Sequence, residues 1–150
     1  MLKRKEAASA PEDFTDGTFR GVIGDDTVDP EQVETVVLCS GRITWDLLKE
    51  RQRIEGDKPR TPVLRIEQLY PRPFDELEEE LGRFANLKEV RWVQDEPENM
   101  GPWPHFALHL TPRLEVPLTV ISRPESAAPA VGQASRHQQE LKNLIGNAFA

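Results

Sequence analysis

The stretch that decides the fold is residues 36–44, Val36-Val37-Leu38-Cys39-Ser40-Gly41-Arg42-Ile43-Thr44, VVLCSGRIT. A β-branched apolar run enters a Ser-Gly turn and leaves with Ile43, Leu47, Leu48 and Ile54 at helical spacing. Val36 to Cys39 therefore reads as a buried strand and the residues after Gly41 as a helix packed on it. Three uses compete for such a turn: a phosphate cradle, a nucleophile on a sharp bend, or a corner between packed elements.

The alternation continues outward. Strands are expected at 33–39, 63–66, 90–94 and 118–121. Between the second and third, Phe74, Leu77, Leu81 and Phe84 form an apolar stripe opposite Asp75, Glu76, Glu78, Glu79 and Glu80, a solvated acidic face. Gly101 and Pro102 open a short helix carrying Phe106 and Leu110. Leu141, Leu144, Ile145, Ala148 and Phe149 make an amphipathic final helix. Strand, helix, strand, helix at this spacing predicts right-handed crossovers, hence an α/β domain: a three-layer, doubly wound, mostly parallel sheet over 33–150. Residues 1–32 carry Pro11, Gly17, Gly21, Gly24 and Pro30 without a period, so they read as an irregular arm. Its Phe14, Phe19, Val22 and Ile23 are too apolar for a free tail, and the arm is expected to cover a surface.

Bulk composition narrows the function. The chain has 26 acidic and 19 basic residues, a net charge of −7, and no basic stripe with interleaved aromatics, which argues against nucleic acid as a partner. No segment has the apolar length to cross a bilayer, and the basic start has no apolar run behind it, so neither membrane nor secretory signal is expected. The one cysteine, Cys39, excludes an intrachain disulfide framework and points to a reducing, cytoplasmic setting.

Each candidate for chemistry has a plainer rival. The turn lacks the glycines of GxGxxG or GxxxxGK[ST] and the frame of GxSxG, so Ser40 reads as a helix cap rather than a phosphate ligand or nucleophile. Cys39 ends a buried strand with no neighbouring His and reads as an inert packed thiol. His105 and His109 share a helix face, but HFALH is not HExxH and supplies two ligands at most. His137 falls near the start of the last helix, exposed or capping. Asp95, Glu96 and Glu98 follow the third strand at the edge where open α/β sheets bind ligands; they suit acid–base work or an arginine across an interface. The residues alone thus define a doubly wound domain without a self-sufficient active site.

Four segments in order, LCSGRITWDLLKERQ, LRIEQLYPRPFDEL, VRWVQDEPENMGPWP and SRPESAAPAVGQASRHQQE, resemble the C-terminal transketolase-like domain of the thiamine-diphosphate-dependent 2-oxoglutarate dehydrogenase E1 component. The upstream LKRKEAASAPEDFTDGTFRGVI resembles the arm leading into it, and WPHF points to the actinobacterial type. Gly41-Arg42, Thr44-Trp45, Met100 and Pro102 depart from the family's usual residues. The resemblance implies that thiamine diphosphate and Mg²⁺ belong to the full enzyme, held by other domains, and that this chain alone binds no cofactor, holds no catalytic or metal-binding residue, and is inactive. It implies a terminal or split piece whose partners are the rest of the E1 subunit, its dimer mate and the lipoyl-bearing E2. Acetyl-CoA, an effector of actinobacterial relatives, is a further expected partner. Arg42, Arg65, Asp95, Glu96, Trp103 and His137 are the candidate interface or anion contacts, with Arg60 and Lys3 to Lys5 as further anion candidates. Trp92, Trp103, Met100 and Phe106 are expected to bury apolar surface against a partner. The rival reading is a free-standing flavodoxin-like or receiver-like module, although a receiver needs acids where Cys39-Ser40-Gly41-Arg42 stands.

Overall fold

A computed structural model describes residues 7–15 and 17–150. Five strands form one sheet in the order β1-β3-β2-β4-β5: β1 Val22–Ile23, β2 Thr35–Cys39, β3 Val63–Ile66, β4 Glu89–Pro97 and β5 Leu118–Arg123. Strands β2 to β5 are mutually parallel, and β1 runs antiparallel to β3 at one margin. The helices are α1 Ile43–Glu55, α2 Phe74–Leu81, α3 Trp103–Leu110 and α4 Ala134–Asn147.

Strand periodicity sorts the core into two layers. Val36 and Leu38 of β2, Leu64 and Ile66 of β3, and Val90 and Trp92 of β4 face α2 and α3, where they meet Phe74, Leu77, Phe106 and Leu110. Val37, Cys39, Val63 and Val93 point the other way, onto Ile43 and Leu47 of α1 and Leu144 of α4. Helices therefore cover both faces, which is the expected three-layer α/β architecture. From Val36 to Cys39 β2 is apolar between two parallel neighbours because neither of its faces meets water there.

Local chemistry sets the element ends. Gly41 at φ +71° turns the chain from β2 into α1, and Gly56 at φ +65° stops that helix; a side chain is strained at both. Asp75 and Glu76 fall in the first turn of α2, where the helix dipole favours negative charge. Pro102 and Pro104 begin α3, the end of a helix that tolerates proline.

The sheet differs from expectation in specific places. Residues 33 and 34 lie outside β2, β4 runs three residues past Gln94, and β5 runs on to Arg123. The arm covers a surface only in part: Val22 is buried and Ile23 half-buried, but Phe14 and Phe19 stay exposed, and the arm is not wholly irregular, because it supplies β1. Ile54 does not join the buried stripe of α1; it is 47% exposed, and its helix buries Arg51 instead. The acidic face of α2 is only partly a solvated surface. Glu76 accepts from the Gly21 and Val22 N–H groups (2.9 and 3.0 Å), while Glu80 and Glu78 accept from Arg83 and Arg113. The Glu76 carboxylate is thus one tie of the arm to the domain, beside the β1–β3 pairing and the Asp25–Arg51 ion pair.

Candidate functional site: a crevice at the switch point of the sheet

From β2 the chain crosses to β3 by α1 on one face, and from β4 it crosses to β5 by α3 on the other. The connections diverge between the carboxyl ends of β2 and β4, the place where open α/β sheets leave a ligand crevice. A crevice of about 580 Å³ opens there. Ser40, Gly41 and Arg42 form one wall, Gln94, Glu96, Gly101 and Pro102 another, and Leu69 and Tyr70 after β3 stand at its side. His105 and Phe106 of α3, with Trp92, make the floor.

The floor is rigid. Trp92 and Phe106, both completely buried, stack with centroids 4.4 Å apart, and Phe74 meets Phe106 edge-on at 6.0 Å. This corrects the expectation that Trp92 and Phe106 wait for a partner: they are filled by their own core. Trp103 and Met100 are half-buried beside them. The Gln94 amide uses all four of its places, accepting from Trp92 Nε1 and the Trp103 N–H and donating to the carbonyls of Pro97 and Met100. Gly101 is required by this packing. Its φ is +66°, and a Cβ would fall 3.1 Å from Glu96 Cβ and 3.3 Å from Gln94 Oε1.

The charged residues of the rim are tied to one another within the chain. Arg42 donates to Asp46 and to Asp95. Asp95 also accepts from Arg123 (2.8 Å), a buried guanidinium that reaches Glu140 (3.0 Å) and the His137 carbonyl (3.2 Å) on α4. Burial would raise the Asp95 carboxyl, but hydrogen bonds from Arg42 and Arg123 and the charges behind them outweigh it and hold it below its usual value. Among the candidates, Arg42, Asp95 and His137 thus converge on one network, in which Asp95 meets two arginines of its own chain. Glu96 lies exposed at the crevice mouth, and the Trp103 backbone seats Gln94. Arg65 lies apart, stacked over Trp45 at 5.1 Å and 3.6 Å from Glu67. Lys3, Arg4 and Lys5 lie outside the described residues.

The remaining candidates resolve simply. Ser40 does not cap α1: Arg42 occupies that position, no side chain bonds the helix end, and the Thr44 hydroxyl donates back to the Gly41 carbonyl. Cys39 is fully buried, its sulfur 3.3 Å from Thr44 Oγ1, and burial pushes its thiol up to about 12, so it is inert as expected. The rings of His105 and His109 lie 4.9 Å apart, and His105 Nε2 is a buried atom without a hydrogen-bond partner. Among the described residues no cluster of three or more His, Cys, Asp or Glu is placed to hold a metal. Sequence reasoning missed Gln94 and His105 as groups that line the crevice, and Arg123 as the buried centre of the rim network. Only the position of Gln94, the last residue of the expected third strand, hinted at it.

Fold and crevice together define an open α/β domain of the transketolase C-terminal class. A split-gene transketolase, solved as an inactive β4 tetramer, superposes with a TM-score of 0.61 at 13% identity, over 89% of this chain and 43% of that one. The chain belongs to the 2-oxoglutarate dehydrogenase C-terminal family, whose model matches residues 8–149. It is 42% identical to the 2-oxoglutarate dehydrogenase E1/E2 component of Corynebacterium glutamicum, and 41% identical to the 2-oxoglutarate dehydrogenase E1 component of Azotobacter vinelandii. It is 37% identical to the 2-oxoadipate dehydrogenase complex component E1 of Mus musculus. Each likeness covers 99% of this chain, yet the chain spans only 12% of the first relative and 16% of the other two.

Proposed function

We propose that this chain serves as the C-terminal domain of an E1 component that decarboxylates 2-oxoglutarate on thiamine diphosphate and passes the succinyl group to the lipoyl arm of an E2. The observation that carries this reading is likeness along 99% of the chain to an E1/E2 component and an E1 component named for 2-oxoglutarate dehydrogenase, at 42 and 41% identity. Within that enzyme the domain braces the subunit and its dimer mate, and the chemistry lies on other domains.

The crevice does not fit the cofactor. A diphosphate with Mg²⁺ asks for converging oxygen ligands and unpaired cations or backbone amides. Here Arg42 is already held by two carboxylates, Glu96 adds negative charge, and the described residues hold no metal-ligating cluster. The chain's own residues therefore do positioning work. The Arg42–Asp95–Arg123–Glu140 chain locks the ends of β2, β4 and β5 to α4, so the carboxyl edge keeps one shape when other domains dock on it.

The remainder of the E1 subunit, its dimer mate and E2 are the partners in this proposal, set in the cytoplasm and the citric acid cycle; the single buried thiol suits a reducing compartment. An acetyl-CoA effector belongs to the same reading, with exposed Arg60 and half-buried Arg65 freer to meet its phosphates than Arg42. Among the described residues no helix is long and apolar enough to cross a membrane.

Two measurements test the proposal. The chain alone, titrated with thiamine diphosphate and Mg²⁺ in a calorimeter, gives no binding heat; micromolar affinity overturns the division of labour. Joined to the preceding domains of an E1 and supplied with E2 and E3, it supports NAD⁺ reduction with 2-oxoglutarate at a higher kcat/KM than with 2-oxoadipate. The reverse preference assigns it to the 2-oxoadipate relatives instead.

A further inference from the structure

Among the described residues β5 is bonded on one side only, to β4. The Pro117 carbonyl accepts from the Val90 N–H (2.9 Å) and the Arg123 carbonyl from the Glu98 N–H (3.0 Å), so the odd-numbered residues of this run turn their peptide groups toward β4. Peptide groups alternate in direction along a strand. The N–H and C=O of Leu118, Val120 and Ser122 therefore point outward, where no other strand of the described residues meets them.

Open edges are ordinarily blunted by a proline, a lysine, a bulge or an unpaired charge, or are kept as short as β1. Between Pro117 and Pro124 the outward row of β5 carries none of these. Its one charged residue, Arg123, is 4% exposed at the end of the strand and already paired with Asp95 and Glu140. The irregularity between Val93 and Pro97 lies in β4, and Ile121 and Arg123 keep their normal strand spacing. The side chains are open at the same margin. Leu118 and Val120 pack on the core yet stay half-buried, whereas Val90 and Trp92, their neighbours on β4, are completely buried.

The order of residues on this edge fits a second copy of itself. In an antiparallel pair, outward-facing residues opposite one another exchange both hydrogen bonds. A two-fold axis at Val120 sets Val120 against Val120, Leu118 against Ser122 and Thr119 against Ile121, with no charge opposed and β-branched residues in contact. Sliding the copies one way brings Pro124, which has no N–H, into the row. Sliding them the other way brings in Val116, outside the strand. We propose that β5 is a self-pairing edge: two copies of the chain join antiparallel across Val120 and merge their five-stranded sheets into one. The pairing goes beyond the E1 reading and does not rest on it, since it uses only β5 of this chain.

The test uses the whole chain in moderate salt, which screens the −7 that each copy carries. Sedimentation equilibrium should show monomer and dimer and no larger species. In hydrogen exchange, the amides of Leu118, Val120 and Ser122 should slow as concentration rises, while those of Thr119 and Ile121, bonded to β4, stay protected throughout. Val120→Pro removes an outward N–H that the chain itself does not use, so the fold survives, and the dimer should weaken at least about tenfold. Val120→Cys should oxidise to a covalent dimer, because the Cα atoms of such a pair lie about 5.5 Å apart, within disulfide reach. Leu118→Cys, which faces Ser122, should not, and buried Cys39 stays out of the reaction. A chain that is monomeric at every concentration leaves the edge to a different strand and overturns the pairing. So does a dimer whose three outward amides gain no protection, a Val120→Pro chain that dimerises like the parent, or Leu118→Cys that links as readily as Val120→Cys. None of these outcomes bears on whether the domain completes an E1.

Discussion

Asp25 and Arg51, each 7% exposed, form the most deeply buried ion pair of the described residues, and they join the arm to α1. Asp25 also accepts from the Val63 N–H (3.0 Å) and from the Thr27 N–H and hydroxyl, while Arg51 donates to the Thr61 carbonyl (3.2 Å). With every lone pair met, removing one partner strands the other. Asp25→Asn should therefore cost roughly 3–5 kcal/mol in urea unfolding. Burial acts to raise the Asp25 carboxyl, but the Thr27 hydroxyl, the Val63 N–H and Arg51 together hold it below its usual value, as Arg42 and Arg123 do for Asp95. A carboxyl depressed in the folded state stabilises above its unfolded pKa, near 3.9. That contribution disappears as pH falls through the lower, folded value. The urea midpoint should thus be flat above about pH 5 and drop below pH 4, and Asp25→Asn should shrink the drop. The thiol of Cys39 gives a third measurement at this scale: a chromogenic disulfide reagent should leave it unmodified in buffer and titrate one thiol per chain in urea. Its inertness was legible from an apolar strand with no adjacent His. The Asp25–Arg51 pair was not, because two charges 26 positions apart carry no local pattern that links them.

At the scale of elements, periodicity gave the four parallel strands and four helices, and it failed where an element is short or held from a distance. β1 has two residues, too few to show alternation, and it exists because β3 offers Ile66 and Arg65 as partners and Glu76 receives the N–H groups of Val22 and of Gly21 just before it. Ser40 looked like a cap by residue type, yet α1 begins at Ile43 and leaves Ser40 to line the crevice. Ile54 fitted the stripe of α1 by spacing, but the helix ends one residue later, at Glu55, beyond the cover of its neighbours. If Glu76 anchors the arm, Glu76→Ala should accelerate hydrogen exchange at Gly21 and Val22 while amides of β2 stay protected. Global stability should fall by only about 1–2 kcal/mol, the cost of two hydrogen bonds to a charged acceptor in a half-exposed place.

Across the whole molecule, the three-layer fold was readable from the order of apolar runs, and the crevice was readable only as a location. Its walls come from residues far apart in sequence, Ser40, Tyr70, Gly101 and His105 among them, and which polar atom is left without a partner depends on packing no linear pattern encodes. Phe14 and Phe19 remain 80% and 71% exposed, so the arm carries apolar surface that the described residues leave uncovered. Changing both to Ser should move unfolding free energy by less than about 0.5 kcal/mol per site. In an E1 assembly the same change should loosen attachment of the domain, read as a lower yield of dimer in sedimentation. The arm has one more consequence, for how copies of the chain meet. β1 occupies one margin of the sheet, and among the described residues no strand pairs with the outer side of β5. Contact between two such margins closes on itself after a single pairing. Cleaving the chain ahead of Asp25, which leaves the Arg51 pair in place, would exchange the two-residue β1 for the longer β3 at that margin, an edge able to template head-to-tail growth. Light scattering that rises without limit after that cut, and stays level before it, would mark the arm as the stopper of an otherwise open-ended polymer.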